Sequence, residues 1–224
     1  MEITEDLKKL LTNPLQGLDE KNDNFVEVQN KFKGIAKKLF DNYGIKCGNK
    51  IFRFAEIEFY YYNKKEKWQD KWNTATYYRD KNAGELFFHY SGVDICFQSD
   101  SENEFGGILI RSLVEIDENG NYVTLHKGPM ICANLMLNSC EEKMPFVSDK
   151  VDSLDYNMIQ SDFRFGVDKE SQEDEKNNNL QLCFFVNQYK DTVLEWNGAT
   201  ETLVWDKKKG ELKISKRYYN RFKK

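Results

Sequence analysis

Proline is scarce in this chain, with three among 224 residues, and histidine is scarcer, with two. No run of 18 apolar residues exists, so no helix is expected to cross a membrane. Met1 to Leu11 is acidic and polar and lacks the apolar centre of a secretory signal. No internal repeat and no Pro-rich or Gly/Ser-rich linker divides the chain, which points to one domain. The five cysteines, Cys47, Cys96, Cys132, Cys140 and Cys183, are scattered and odd in number. They form no close pair, so neither a zinc site nor a disulfide framework is indicated. They read as buried free thiols of a reducing, intracellular compartment, cytoplasmic (nucleoid) or nuclear.

Aromatic residues are plentiful at 14%, which favours strands rich in Phe and Tyr. The net charge of -4 argues at first against a nucleic-acid partner. Its distribution argues otherwise. Asp206 to Lys224 holds nine Lys or Arg against two acids, a net of +7, which leaves -11 for the other residues. Lys207, Lys208, Lys216 and Arg217 lie there among Tyr218, Tyr219 and Phe222, a mixture able to pair phosphates and stack bases. The plainer reading of the same segment is a solvated basic terminus.

Residues 1–24 are polar and are expected to form a loosely attached arm. Residues 25–205 form the domain, and residues 206–224 a basic aromatic tail. From Phe25 to Asn42 the apolar residues recur at helical spacing, and Asn42-Tyr43-Gly44 ends the pattern. Gly84 to Gln98 reads as two strands around a turn at Ser91-Gly92. Gly106-Gly107 breaks the chain before a strand from Ile108 to Ile116, and Asp117 to Gly120 is a turn. Met130 to Leu137 follows Gly128-Pro129 as a helix. Asn63 to Asn73 and Asp168 to Asn179 are expected as polar loops, and Leu180 to Val186 as a buried strand. Thr192 to Trp205 offers one or two more strands. One mixed α+β (α/β) domain is the economical reading of these elements.

The most informative segment is Ile51 to Tyr62. Alternation at period two makes it a strand and points Glu56 and Glu58 the same way. A carboxylate in an apolar run is either compensated by a cation or poised to hold a water and take its proton. Arg53 or Arg79 is the expected partner of Glu56, which reads as the structural member of the pair. Rings immediately after Glu58 would suit a flat aromatic substrate.

Six segments together resemble the alkyladenine (3-methyladenine) DNA glycosylases of the mammalian type. They are Ile35-Ala-Lys-Lys-Leu-Phe40 and Arg53-Phe-Ala-Glu-Ile-Glu-Phe-Tyr60, then Gly84 to Phe97 and Gly107-Ile-Leu-Ile-Arg-Ser-Leu113. Gly128 to Asn138 and Arg164-Phe-Gly-Val167 complete the set. The resemblance implies one mixed domain around a curved antiparallel sheet, with no metal and no diffusible cofactor. It also implies a monomer acting on double-stranded DNA that contains a damaged or modified base.

Carried over residue by residue, Glu58 matches the glutamate that activates water, and Arg111 the arginine that helps hold it. Tyr60 matches the ring that stacks on the extruded base, and His89 falls at a second stacking Tyr. Gln98 falls at an Asn that polices purine exocyclic groups. Tyr90 is the first candidate for the intercalating wedge, and Val93 the second. Arg79 is what remains of the phosphate-binding stretch. The family's pocket His has no counterpart: Asp70 to Arg79 holds no His, and Thr76 or Tyr77 stands there.

On this reading Glu58, with Arg111 and a backbone carbonyl fixing the water, supports hydrolysis of an N-glycosidic bond. No Lys lies on the acidic strand to form a Schiff base, so no strand-cleaving step is expected. Two rivals stand beside it. One is a non-catalytic binder of DNA or a modified nucleotide on the same fold. The other is a metal-dependent nuclease using Glu56, Glu58 and Asp94. His126, beside Lys127-Gly128-Pro129, reads as a loop residue near a phosphate or as a plain loop residue.

Overall fold

The helical spacing from Phe25 to Asn42 is realised as helix α2, Phe25–Asn42, preceded by a short α1, Glu5–Thr12. The structure is a computed structural model. It describes residues 4–16, 25–63, 68–69, 80–100, 103–139, 146–147, 159–164, 167, 173, 175–186, 202–206 and 211–215. Helix α2 buries Val28, Phe32, Ile35, Ala36, Leu39 and Phe40. These positions form one stripe of the helix, as an i, i+3, i+4 pattern requires.

The chain then turns into strand β1, Gly44–Cys47, and through a tight turn at Gly48 into β2, Lys50–Asn63. Gly48 holds φ +59, a conformation that glycine adopts without steric cost. Strand β2 is the spine of the sheet. It pairs along nearly its whole length with β6, Glu104–Ile116. Its other edge carries β1, β10 (Cys183–Val186) and the short β3 (Trp68–Gln69). Strand β6 carries β5 (Gly92–Cys96) and β7 (Tyr122–Lys127) on its far edge. Strand β4 (Leu86–His89) pairs outside β5, β8 (Phe146–Val147) outside β1 and β9 (Ile159–Asp162) outside β10. All these pairings are antiparallel, so the architecture is a mixed α+β domain on one antiparallel sheet. Helix α3, Pro129–Ser139, packs against β5 and β6. No helix among the described residues is long and apolar enough to cross a membrane.

One face of the sheet meets the first two helices. The Phe32 ring stacks on Phe59 with centroids 4.7 Å apart and meets Tyr61 edge-on. Phe52, Phe54, Ile57, Ile108, Ile110 and Phe184 belong to the same core. Residues one step out of phase, Glu58 and Tyr60 among them, point to the opposite face.

Four sequence expectations change. Residues 4–16 of the expected arm are not loosely attached: Leu7, Leu11 and Leu15 are fully buried in the main core. Thr4 caps α1 by accepting from the Leu7 amide, and the Gln98 amide donates to the Leu11 carbonyl. Gly106-Gly107 does not break the chain but lies inside β6. A Cβ at Gly106 would collide with the Tyr60 carbonyl oxygen, so glycine lets the two strands close. The boundary at residue 206 cuts a hairpin, because β11 (Thr202–Asp206) pairs with β12 (Glu211–Ser215). The acidic stretch from Asp168 is not wholly a surface loop, since Glu175 is buried and helical.

Candidate active site

Strict alternation over Ile51 to Tyr62 would put Glu56 and Glu58 on the same side as Phe52 and Phe54. A bulge prevents it. The β2–β6 ladder steps from Phe54↔Leu113 to Glu56↔Ser112 and then to Ile57↔Ile110. Ala55 takes up the extra position, a bulge that reverses the phase of the strand. Phe52, Phe54, Ile57 and Phe59 thereby share the core face, while Glu56, Glu58 and Tyr60 share the other.

On that face Glu58 has no exposed surface. Its Oε2 accepts from Arg111 Nη1 at 2.9 Å and from the Tyr60 hydroxyl at 2.9 Å. Arg111 Nε donates to Glu56 Oε1 at 3.2 Å. Glu56 also accepts from the Ser112 hydroxyl at 3.1 Å and from the Cys183 thiol at 3.5 Å. Arg111 is thus a partner of Glu56 that the sequence reading did not name. Arg53 donates to the Tyr43 carbonyl at 3.3 Å, and Arg79 lies outside the described residues. Burial pushes the Tyr60 phenol well above its ordinary range, and the Glu58 charge adds to this, while Arg164 and Arg111 oppose it. Burial likewise raises the Cys132 thiol, with the Glu56 charge adding.

A second buried pair closes on Tyr60. The Arg164 guanidinium lies 4.8 Å from the centre of the Tyr60 ring, a cation–π contact. Its Nη1 donates to the Phe59 carbonyl at 3.1 Å, and its Nε pairs with Glu175. Val167 packs with Tyr60 and Leu109. The Arg-Phe-Gly-Val segment therefore reaches the site through both ends that are described. Arg164 was visible in the sequence only as part of that fragment. Glu175 carried no signal, since it sits in an acidic run.

The structure brings Glu58, Arg111 and Tyr60 together. His89 lies on the β4–β5 hairpin. Its Nε2 faces Asp94 Oδ1 at 3.1 Å, and its Nδ1 accepts from the Ser91 amide at 3.3 Å. The ring stacks on Phe87, with centroids 5.8 Å apart. Tyr90 occupies the hairpin tip and is 81% exposed, whereas Val93 is buried. Gln98 closes the base of the hairpin. Its Oε1 accepts from the Ala83 amide at 3.2 Å, and its Nε2 donates to the Ser99 carbonyl at 3.2 Å. His126 is a strand residue on β7, 3.1 Å from Glu115 Oε2, not a loop residue. Lys207, Lys208, Lys216 and Arg217 lie outside the described residues.

Among the described residues no three His, Cys, Asp or Glu side chains are grouped to hold a metal. The Arg111 guanidinium occupies the place between Glu56 and Glu58 that a cation would need. What the arrangement offers chemically is two carboxylates, one guanidinium and one phenol in contact, buried on one face of the sheet. No protein-family model matches the chain, and no curated protein matches it.

Proposed function

We propose that the chain is a DNA base-excision glycosylase that rotates a modified purine out of the duplex and hydrolyses its glycosidic bond. The contact between Glu58, Arg111 and Tyr60 carries this reading. A carboxylate beside the sugar stabilises an oxocarbenium-like transition state and removes a proton from the attacking water. Arg111 orients that carboxylate. Tyr60 supplies the ring against which an extruded base stacks, a contact worth about 1–3 kcal/mol. The hairpin tip supports the same reading: an exposed ring at Tyr90 can fill the gap that the base leaves.

The enclosure of Glu58 sets a condition on this chemistry. Solvent does not reach the carboxylate while Tyr60 and Arg111 hold Oε2. The incoming nucleotide must part Tyr60 from Glu58, which costs a hydrogen bond to a charged group, about 1.5–3 kcal/mol. Arg164 already covers one face of the Tyr60 ring, so a base stacks there only on the other face or after Arg164 withdraws.

The same enclosure favours a second reading, a non-catalytic binder of DNA or a modified nucleotide. There Glu58 is a compensated core carboxylate and nothing more. One experiment separates the two. Duplexes carrying alkylated or deaminated purines are incubated with the wild-type chain and with Glu58→Gln, and released bases are read by mass spectrometry. Excision predicts release by the wild type, none by the variant, and lesion binding by both. Full release by Glu58→Gln removes Glu58 from the chemistry. No release by either, with DNA affinity that falls as salt rises, supports the binder.

A further inference from the structure

Arg111 is aimed by the fold. At the level of Glu56 both strands of the central ladder are irregular: Ala55 on β2 and Arg111 on β6 each lack an opposite residue. The two bulges compensate, so the register below and above them is the same. A bulge re-aims the side chain it carries, and here it turns the Arg111 fork into the space between two carboxylates. The guanidinium presents its donors in a rigid plane, and its preferred pairing is two parallel bonds to one carboxylate. Arg111 reaches two carboxylates. Nε goes to Glu56 and Nη1 to Glu58.

Glu56 is held to this task from its own side. The Ser112 hydroxyl binds Oε2 and the Cys183 thiol binds Oε1, one from each strand flanking β2. We propose that Glu56 is a positioning residue: cradled by Ser112 and Cys183, it anchors Arg111 Nε and so fixes the guanidinium with its Nη1 on Glu58 Oε2. This deepens the glycosylase reading and rests on it for its kinetic consequence alone. Loss of the anchor frees Arg111 Nε and lets the guanidinium leave the place from which it orients Glu58.

Glu56→Gln tests the proposal. The amide keeps the size of the side chain and an acceptor for Ser112, and it leaves one carboxylate for one guanidinium. The Arg111 Nε–H is followed by side-chain nitrogen NMR of the full chain and identified by its loss in Arg111→Lys. It is expected to be protected in the wild type and in Glu58→Gln. In Glu56→Gln its exchange is expected to be roughly ten- to a hundred-fold faster, the equivalent of losing a charged hydrogen bond. Protection that survives Glu56→Gln overturns the proposal. Should that variant fail to fold, Ser112→Ala loosens the same cradle with both carboxylates kept, and unchanged Nε–H exchange there overturns it equally. In excision kinetics Glu56→Gln is expected to lower kcat about 100-fold with KM unchanged, as for a misplaced reacting group. Unchanged kcat in a folded variant of an active enzyme also overturns it. A wild-type chain that releases no base overturns the glycosylase reading instead, and the NMR measurement alone then decides Glu56.

Discussion

Tyr60 carries two opposite demands. Its hydroxyl serves a charged acceptor, Glu58, while its ring is buried beneath a guanidinium. Tyr60→Phe removes one of the donors to Glu58 Oε2 and leaves Arg111 to satisfy that oxygen. A hydrogen bond to a charged group is worth about 1.5–3 kcal/mol, and a loss of that size is expected in urea unfolding. The phenol also has a raised folded-state pKa. The unfolded chain gives up this proton first, near pH 10, so wild-type stability falls as pH rises beyond that value. Tyr60→Phe is expected to lack this contribution to the alkaline decline, which thermal unfolding from pH 9 to 11 reads directly. At this scale the sequence identified Glu58, Tyr60 and Arg111 correctly as neighbours. It did not assign Arg111 to Glu56, because pairing depends on which strand lies opposite, and that is not a local property. Gln98 and His89 show the same limit. Both lie on the hairpin as expected, yet their polar atoms serve the backbone of Ala83, Ser99 and Ser91 and the carboxylate of Asp94.

Elements were legible where a long pattern stated them. Helix α2 runs over the residues its spacing marked, the β4–β5 hairpin lies within its expected segment, and α3, Pro129–Ser139, covers the expected Met130 to Leu137 and extends past both ends. Helix α1 was not legible. Eight residues with two acids and two lysines look polar in composition, and Leu7, Leu10 and Leu11 carry an apolar signal barely one turn long. Their burial makes α1 part of the domain. Leu7→Ala is expected to cost about 2–5 kcal/mol by denaturant titration, the range for a leucine removed from a packed core. A loss under about 0.5 kcal/mol, typical of a surface position, would return the segment to the status of an arm. The bulge at Ala55 was also silent in the sequence. Period two continues through Ala55 and Glu56 without any glycine or proline to mark the shift. The bulge is decided by the partner strand, where Arg111 must find space between two carboxylates.

Across the whole molecule, the sheet is tied together by groups that titrate. Glu115 on β6 reaches Lys50 on β2 at 2.9 Å and His126 on β7 at 3.1 Å, linking three adjacent strands. The Lys50 hydrogen bond first, and then that of His126, hold the Glu115 carboxyl below its ordinary value against the opposing effect of burial. A depressed carboxyl contributes stability that is complete above the unfolded value, about 4.3, and lost as pH falls through the folded one. Melting temperatures of wild type and Glu115→Gln are therefore expected to differ at pH 7 and to converge below about pH 4. A gap that persists undiminished at pH 3 would deny the carboxylate this role. The charge asymmetry of the chain was legible from composition. What its basic end does in three dimensions depends on β12, which pairs with β11 and makes part of that end a hairpin.

Composition and periodicity determined the fold class, the long helix, the aromatic hairpin and the acidic strand, because each follows from local propensity and the burial of one face. Only the tertiary structure decided which face the acids occupy, which guanidinium neutralises them and how far solvent is kept away. Those outcomes depend on strand order and on one paired irregularity in the central ladder. Both are set by contacts between residues more than fifty positions apart, where no local pattern can act.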